Sequence, residues 1–423
     1  MTDLQSVLQT ITPNIRTILE HCLEGKELKQ DDATTLFSVT GPELTALVLT
    51  ADYLRELQCG DQVSYVVNRN INFTNVCIKT CQFCAFSRDL RSEEGYFLPT
   101  DEIIRRAQEA LSYGATEVCL QAGLAPSIDG EIYIDLCREL HQALPKLHLH
   151  AFSPEEVKYG AIRSKRTFYD YLSALKDAGI GSLPGTSAEI LNDTLRKRIS
   201  PGRISTQEWI QIVTTAHKLG IPTTSTMMFG HVETKEERAA HMALLRDIQK
   251  QTGGFTEFVP LSFVHQEAPL FIKQDITGVQ PGPTGNDIIR MYAIARLMLG
   301  ATIKNIQASW VKEGLRMASW LLNCGVNDLG GTLMNESIST TAGASHGQLM
   351  TPAMLRHAIR DAGRVPVERR TTYEIHRQFS RVLEEQEIEQ DPLSQLEHPQ
   401  EIFGSYQELT TDQTFTYKFE NAL

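Results

Sequence analysis

The chain has no run of about 18 uncharged apolar residues, so nothing in it reads as a membrane span. Its start, Met1-Thr2-Asp3-Leu4-Gln5, has no basic stretch leading into an apolar one, and the expectation is a cytoplasmic protein without a signal peptide. It also lacks a basic excess. The net formal charge is −12, the wrong sign for the positive footprint that non-specific nucleic-acid binding needs. No Gly-rich phosphate loop of the Gly-x-x-x-x-Gly-Lys-Ser/Thr kind occurs. Eight cysteines spread over 423 residues with no secretory start are no disulfide framework. What remains is a composition of 41% hydrophobic and 22% charged residues, which supports a sizeable globular core.

The acidity is unevenly placed. Residues 384–423 hold ten acidic side chains and one lysine, and so carry nine of the twelve excess negative charges. The charge therefore describes an appendage and says little about a substrate. This Glu- and Gln-rich tail lies outside any strand–helix pattern, reads as a mobile or loosely docked extension, and is expected to be dispensable for chemistry. At the other end, residues 1–63 read as a helical N-terminal cap: Glu43–Leu49 and Ala51–Leu54 have helical spacing behind the start signal Gly41-Pro42, and Gly60-Asp61 closes the segment.

Between these ends, over residues 64–383, short β-prone runs alternate with amphipathic helical ones. The expected strands are Val66–Phe73, Glu117–Gln121, Leu147–Phe152, Ile180–Pro184, Thr223–Phe229, Phe255–Leu261, Asn305–Trp310 and Asp328–Leu333. Such alternation implies βα units and a parallel sheet, an α/β fold. Eight units fit a closed (β/α)8 TIM-type barrel; an open six-strand barrel is the nearest rival.

The chemistry is concentrated in Asn72-Phe73-Thr74-Asn75-Val76-Cys77-Ile78-Lys79-Thr80-Cys81-Gln82-Phe83-Cys84. The cysteine spacing is C-x3-C-x2-C, directly after the first expected strand, at the C-terminal mouth where barrel enzymes keep their active sites. Thiolates are soft ligands suited to iron–sulfur clusters. A four-iron cluster held by three thiolates keeps one iron open. An electron carrier would want a fourth cysteine, and structural zinc a fourth ligand; the next cysteine, Cys119, lies inside an expected strand. Cys22, Cys59, Cys137 and Cys324 read, like Cys119, as small buried apolar residues. An iron–sulfur scaffold and a zinc-stabilised module stay open as the readings outside catalysis.

This motif in this position resembles the radical S-adenosylmethionine (SAM) superfamily. The resemblance implies a [4Fe-4S] cluster on Cys77, Cys81 and Cys84, with SAM chelating the open iron and an electron donor driving its cleavage to a 5′-deoxyadenosyl radical. It further implies Phe83 near the adenine, Gln121 and Gly123 at the methionyl group, and Glu189 at the ribose or substrate, against a plain first-turn acid as the alternative. Beyond the cysteines, Asn68–Asn75, His148–Pro154, Leu183–Glu189, Met227–Glu233 and Gly325–Thr332 are similar to one subgroup. It holds aminofutalosine synthase, dehypoxanthine futalosine cyclase and the two enzymes that build the 8-hydroxy-5-deazaflavin chromophore. The run Glu257–His265 with Glu267-Ala268-Pro269 most resembles the tyrosine-using member of the deazaflavin pair. The implied reaction is radical transfer of the 4-hydroxybenzyl group of L-tyrosine to 5-amino-6-(D-ribitylamino)uracil, with a second radical SAM subunit closing the ring. Aminofutalosine synthase is the strongest rival.

Asn72, His150, Glu189 and His265 are expected to contact substrate, with Glu189, His150 and His265 as the catalytic candidates. His148 and His150 alternate with leucines and so share a strand face; His231 and Glu233 also sit near a strand end. The bland alternative for each histidine is a satisfied core residue.

Overall fold

The computed structural model describes residues 2–383, 387 and 390–418. Its centre is parallel β-structure. Strands β1 (Gln62–Val66) and β2 (Asn68–Ile71) are separated by Val67 alone. They are followed by β3 (Glu117–Leu120), β4 (His148–Ala151), β5 (Thr223–Phe229), β6 (Phe255–Ser262), β7 (Asp328–Gly331), β8 (Val365–Arg369) and β9 (Ile375–Gln378). Regular pairing groups them as β7-β1-β8-β9, β2-β3-β4 and β5-β6, all parallel except β8-β9. Single parallel bridges link the groups: Arg69 to Met334, His150 to Ser182, Leu183 to Thr223, Phe258 to Ile306 and Gln307 to Asp328. The segments 180–184 and 305–310, expected as strands, thus contribute bridges rather than ladders. The strand β8 was not anticipated; it pairs with β1 from Gln62 to Tyr65.

Alternation decides which side chains face inward. The register sets Asn68 beside Glu117 and Glu117 beside His148, and in the next row but one Asn70, Cys119 and His150. Partners in parallel register share a face, so the inner face is lined with polar rows. They satisfy one another. Asn68 Nδ2 donates to Glu117 Oε1 at 2.8 Å, and His148 Nε2 and His150 Nδ1 each lie 2.7 Å from Ser182 Oγ. Arg369 of β8 donates to Asp328 Oδ2 at 2.6 Å and faces Glu257 at 3.5 Å. The alternate residues Val118, Leu120, Leu149 and Leu183 point outward and are fully buried under the surrounding helices.

The N-terminal helices pack against outer helices: Gly41–Cys59 on Gly285–Leu299, and Gln30–Leu36 on Lys235–Thr252. They bury Leu8, Leu19, Leu36 and Leu47 and line neither of the cavities described below, so they buttress the side and do not cap the mouth. The described part of the tail also departs from expectation. Leu393, Phe403 and Leu409 are buried, Phe97 N donates to Phe415 O at 2.8 Å, and Tyr417 N donates to Gly95 O at 2.8 Å. Its aromatic residues outweigh its charge: it is docked, not loose. Among the described residues no helix is long and apolar enough to cross a membrane.

Candidate active site

After β2 the chain enters the cysteine loop, whose backbone groups have no ladder to satisfy them and must find partners elsewhere. They find them on four sides. Cys77 N donates to Arg88 O (3.0 Å), Ile78 N to Leu124 O (3.0 Å) and Gln82 N to Ile199 O (2.9 Å), while Gln82 O accepts from Leu270 N (2.6 Å). The loop is thus fixed by segments far apart in sequence.

Cys77, Cys81 and Cys84 are free thiols on one wall of a cavity of about 260 Å³. Lys79 N donates to Cys77 Sγ at 3.4 Å, and Arg203 Nη1 to Cys81 Sγ at 3.5 Å. Burial pushes the Cys81 thiol up to about 12 and raises that of Cys77. Ionising them there calls for compensating positive charge, which iron provides. Among the described residues no three His, Cys, Asp or Glu side chains converge on a point that one metal ion could occupy. Three thiols on one cavity, with donors on two of the sulfurs, suit three corners of a cluster.

The adjoining wall is built by the end of β3. Ala122 N donates to Glu156 Oε1 at 3.0 Å, and the other Glu156 oxygen takes Ser153 N (2.7 Å) and Ser153 Oγ (2.6 Å). That is a capping box at the start of the helix Pro154–Arg163. It ties strand end and helix start together, and burial raises the Glu156 carboxyl to about 7. Gly123 passes so close to the residue before Cys77 that a Cβ on it would lie 2.3 Å from Val76 O.

Glu189 lies in the same cavity with a left-handed backbone (φ 39°), between Arg196 Nη1 at 3.1 Å and Arg203 Nη1 at 3.2 Å. Arg203 also reaches Glu155 Oε2 at 3.4 Å and stands over the Phe83 ring at 5.7 Å. Asn72 donates to Gln121 O at 3.0 Å, and its buried Oδ1 has no partner. Phe83, Gln121, Gly123, Glu189 and Asn72 therefore share the cavity of the three cysteines.

Two expectations shift. His150 lines neither cavity; it belongs to the inner polar network, and burial draws its imidazole down to about 4. Its Nδ1 is engaged by Ser182 Oγ at 2.7 Å, away from the three cysteines. His231 is likewise turned inward, 3.2 Å from Glu233. His265 lines a second cavity of about 180 Å³ instead of the first. This second cavity shares Ser262, Phe263, Val264 and Lys312 with the first, so the two adjoin.

Sequence reasoning missed Arg203, Glu155 and Lys312, which sit outside the motif and alternate with nothing recognisable. The expectation that no Gly-x-Ser-x-Gly nucleophile-elbow sequence is present is also incorrect: Gly343-Ala344-Ser345-His346-Gly347 has that spacing. The segment follows the short helix Ile338–Thr341 and not a strand, so the elbow context is missing; its Ser345 and His346 line the second cavity.

Residues 71–245 match the radical SAM superfamily, and residues 252–382 match the CofH/MqnC C-terminal region. Over 363 residues the chain is 48% identical to the 5-amino-6-(D-ribitylamino)uracil–L-tyrosine 4-hydroxyphenyl transferase of Methanothermobacter thermautotrophicus, covering 85% of this chain and 98% of that one. The chain belongs to the radical SAM superfamily. The same-named protein of Methanocaldococcus jannaschii is 46% identical over 353 residues, covering 83% of this chain and 97% of the other. Among solved structures, methylornithine synthase aligns with a TM-score of 0.65 at 18% identity, over 82% of this chain and 97% of that one. The hydrogenase maturase HydG of Carboxydothermus hydrogenoformans aligns at 0.67 and 17%, over 88% and 85%. At such identities the likeness concerns the radical SAM fold alone. The cofactors of the superfamily, a [4Fe-4S] cluster and SAM, are those of this chain.

Proposed function

We propose that this radical SAM enzyme transfers the 4-hydroxybenzyl group of L-tyrosine to 5-amino-6-(D-ribitylamino)uracil, the step before ring closure in 8-hydroxy-5-deazaflavin synthesis. The observation that carries the reading is the pairing of 48% identity over 85% of the chain to a transferase of that name with three thiols opening on one cavity. The bound cluster and SAM supply a 5′-deoxyadenosyl radical at this cavity. A hydrogen atom passes from tyrosine to give 5′-deoxyadenosine, the tyrosine Cα–Cβ bond breaks, the glycine portion leaves as an imino acid, and the 4-hydroxybenzyl radical adds to the acceptor, whose adduct then loses one proton and one electron, balancing the electron spent in cleaving SAM.

The chain's own residues act by holding. Cys77, Cys81 and Cys84 bind iron. Phe83 offers a face to the adenine, backbone atoms at Gln121 and Gly123 receive the methionyl group, and Glu189, fixed between two arginines, receives the ribose. Asn72 presents its unpartnered Oδ1 to substrate. Such fixation can supply roughly 7–11 kcal/mol of a reaction barrier. The largely apolar remainder of the wall, including Leu124, Met228, Leu261 and Phe263, excludes water from the radical.

The bridges between the sheets support a closed (β/α)8 arrangement, with this cavity at the C-terminal ends of its strands. The reading includes a cytoplasmic setting, an external electron donor and a partner radical SAM enzyme that closes the ring. The test is anaerobic product analysis with reduced enzyme, SAM, tyrosine and the ribitylaminouracil. A tyrosine-dependent 4-hydroxybenzyl adduct is expected. Its absence, with aminofutalosine formed from the corresponding enolpyruvyl benzoate, would assign the chain to the other branch of the subgroup.

A further inference from the structure

The reaction needs two organic substrates side by side, and the structure has two adjoining cavities of different character. The first, at the cysteines, is walled by Phe83, Leu124, Met228, Leu261 and Phe263. The second is walled by His265, Gln266, Lys312, Glu313, Ser345 and His346. Four separate segments converge there: the end of β6 with the residues that follow it, the stretch 281–288, the start of the helix Trp310–Leu321, and the loop 343–346. Gly314 makes the convergence possible. Its backbone is left-handed (φ 76°) inside that helix, and a Cβ there would lie 2.9 Å from the His346 ring.

The polar groups of this second cavity are largely unspent. Glu313 accepts from Ser262 Oγ at 2.6 Å. The side chains of His265, Gln266, Lys312, Ser345 and His346 form no hydrogen bond or ion pair with other described residues. Polar side chains converging on a hollow with their hydrogen-bonding capacity unused fit a ligand rich in hydroxyls. Lys312, on the wall common to both cavities, stands where the two substrates would meet.

Resting on the proposed reaction, we infer that the second cavity is the acceptor site: it holds the polyhydroxylated ribityl arm of the uracil, with Gln266 and His346 binding hydroxyls and Lys312 facing the junction with the tyrosine chamber. The benzyl fragment then has a short path to the acceptor through the shared wall at Phe263 and Lys312. The acceptor's polar arm stays outside the chamber where the radical forms, clear of its apolar wall at Leu124, Met228 and Leu261. Burial raises the Glu313 carboxyl to about 7, which lets it donate as well as accept toward a hydroxyl near neutrality.

The test compares two acceptors in the holoenzyme: 5-amino-6-(D-ribitylamino)uracil and 5,6-diaminouracil, which lacks the arm. The wild type should prefer the first by roughly 100-fold or more in kcat/KM, because hydroxyl recognition by a polar site is strongly discriminating. Gln266→Ala and His346→Ala should each cut that preference about tenfold, raise the acceptor KM and leave the tyrosine KM unchanged. Both side chains are exposed, so folding should survive, and cluster absorbance checks it. Equal use of both acceptors by the wild type would overturn the inference. So would an unchanged preference in both variants, or a tyrosine KM that rises with the acceptor KM. If the wild type forms no tyrosine-dependent adduct at all, the proposed reaction itself fails, and this site with it.

Discussion

The Tyr406 hydroxyl lies 3.0 Å from Asn75 Nδ2, accepting its hydrogen bond, and donates to Phe86 O at 3.1 Å. Asn75 and Phe86 flank the cysteine loop, so one side chain from the tail closes the loop's two ends together. The ring adds contacts to Phe86 at 5.3 Å, Tyr96 at 6.3 Å and the Arg88 guanidinium at 5.6 Å. Tyr406→Phe removes two hydrogen bonds and should loosen the loop by about 1–2 kcal/mol. Tyr406→Ala, or a chain ending at His398, should cost more, about 2–3 kcal/mol of local stability. Iron retained after gel filtration and amide exchange across 75–88 measure this. The graded order Phe, then Ala, then truncation is expected. Full iron content and unchanged exchange in the truncated chain would restore the view of the tail as dispensable.

Arg203 binds two carboxylates and a cluster thiol at once: Glu189 at 3.2 Å, Glu155 at 3.4 Å and Cys81 Sγ at 3.5 Å. Arg203→Met leaves these acceptors with fewer partners in a buried place. Glu189 keeps Arg196 and Glu155 keeps Lys79, so the loss should stay near about 1–3 kcal/mol, below the cost of orphaning a buried charge. Denaturant unfolding measures that part. The larger effect should be on SAM, whose KM is expected to rise at least about tenfold as Glu189 and Phe83 lose their shared support. Arg203→Lys keeps the charge without the fork and should fall between. An unchanged SAM KM in the Met variant would confine Arg203 to stability.

The cysteine triplet and the strands Glu117–Leu120 and Thr223–Phe229 were legible because local signals carry them: ligand spacing in one case, and runs between turns in the other. The chamber around the cysteines was legible in Asn72, Phe83, Gln121, Gly123 and Glu189. His150 lies outside both cavities, which the sequence did not reveal because alternation gives a face and not a height along the strand. The same pattern serves a residue at the mouth and one two positions deeper. The tail was misread because composition reports average solvation, while docking rests on a few residues such as Phe403, whose ring stacks edge-on with Tyr113 at 5.4 Å. Lys312 and Arg203 could not be found locally, since their place depends on contacts between distant segments.

Burial draws the His150 imidazole from 6.5 to about 4. Between those values the unfolded chain takes up a proton that the folded chain refuses, so this group's contribution is complete above pH 6.5 and declines as pH falls toward 4. The slope is at most about 1.4 kcal/mol per pH unit. Glu156 and Glu313, raised from 4.5 to about 7, act with the opposite sign: they favour the fold at low pH and lose that contribution as pH rises through 7. The wild-type profile mixes these terms, so the informative quantity is the difference from His150→Gln. Urea unfolding at steps from pH 6.5 to 4.5 should show the variant losing less stability with acid, by up to that slope. Turnover at pH 7.5 should stay within a few-fold, because His150 lines neither cavity. A loss of turnover beyond about 100-fold in a folded variant would return His150 to the catalytic group.

Gly123 provides a test of how tightly the end of β3 sets the cluster. Its N–H donates to Thr74 O at 2.8 Å, and a Cβ placed on it would lie 2.3 Å from Val76 O and 2.8 Å from Val76 C. Both clashing atoms are backbone, so no rotamer change relieves them; either the end of β3 or the segment leading into Cys77 must move. The strand end is held by Ala122 N on Glu156 and by Asn72 on Gln121 O, whereas the segment around Cys77 is held by backbone hydrogen bonds to other loops, such as Cys77 N on Arg88 O and Ile78 N on Leu124 O. The loop should therefore yield. Overpacking of this kind costs about 1–3 kcal/mol in stability, which the fold should survive. A displacement near 1 Å at a reacting centre costs about 100-fold in rate. Gly123→Ala should thus keep a wild-type circular dichroism spectrum while losing iron or at least about 100-fold in 5′-deoxyadenosine formation. Normal iron content together with normal 5′-deoxyadenosine yield would mean the loop absorbs the methyl group without moving Cys77, and that strand end and cluster are not coupled through this contact.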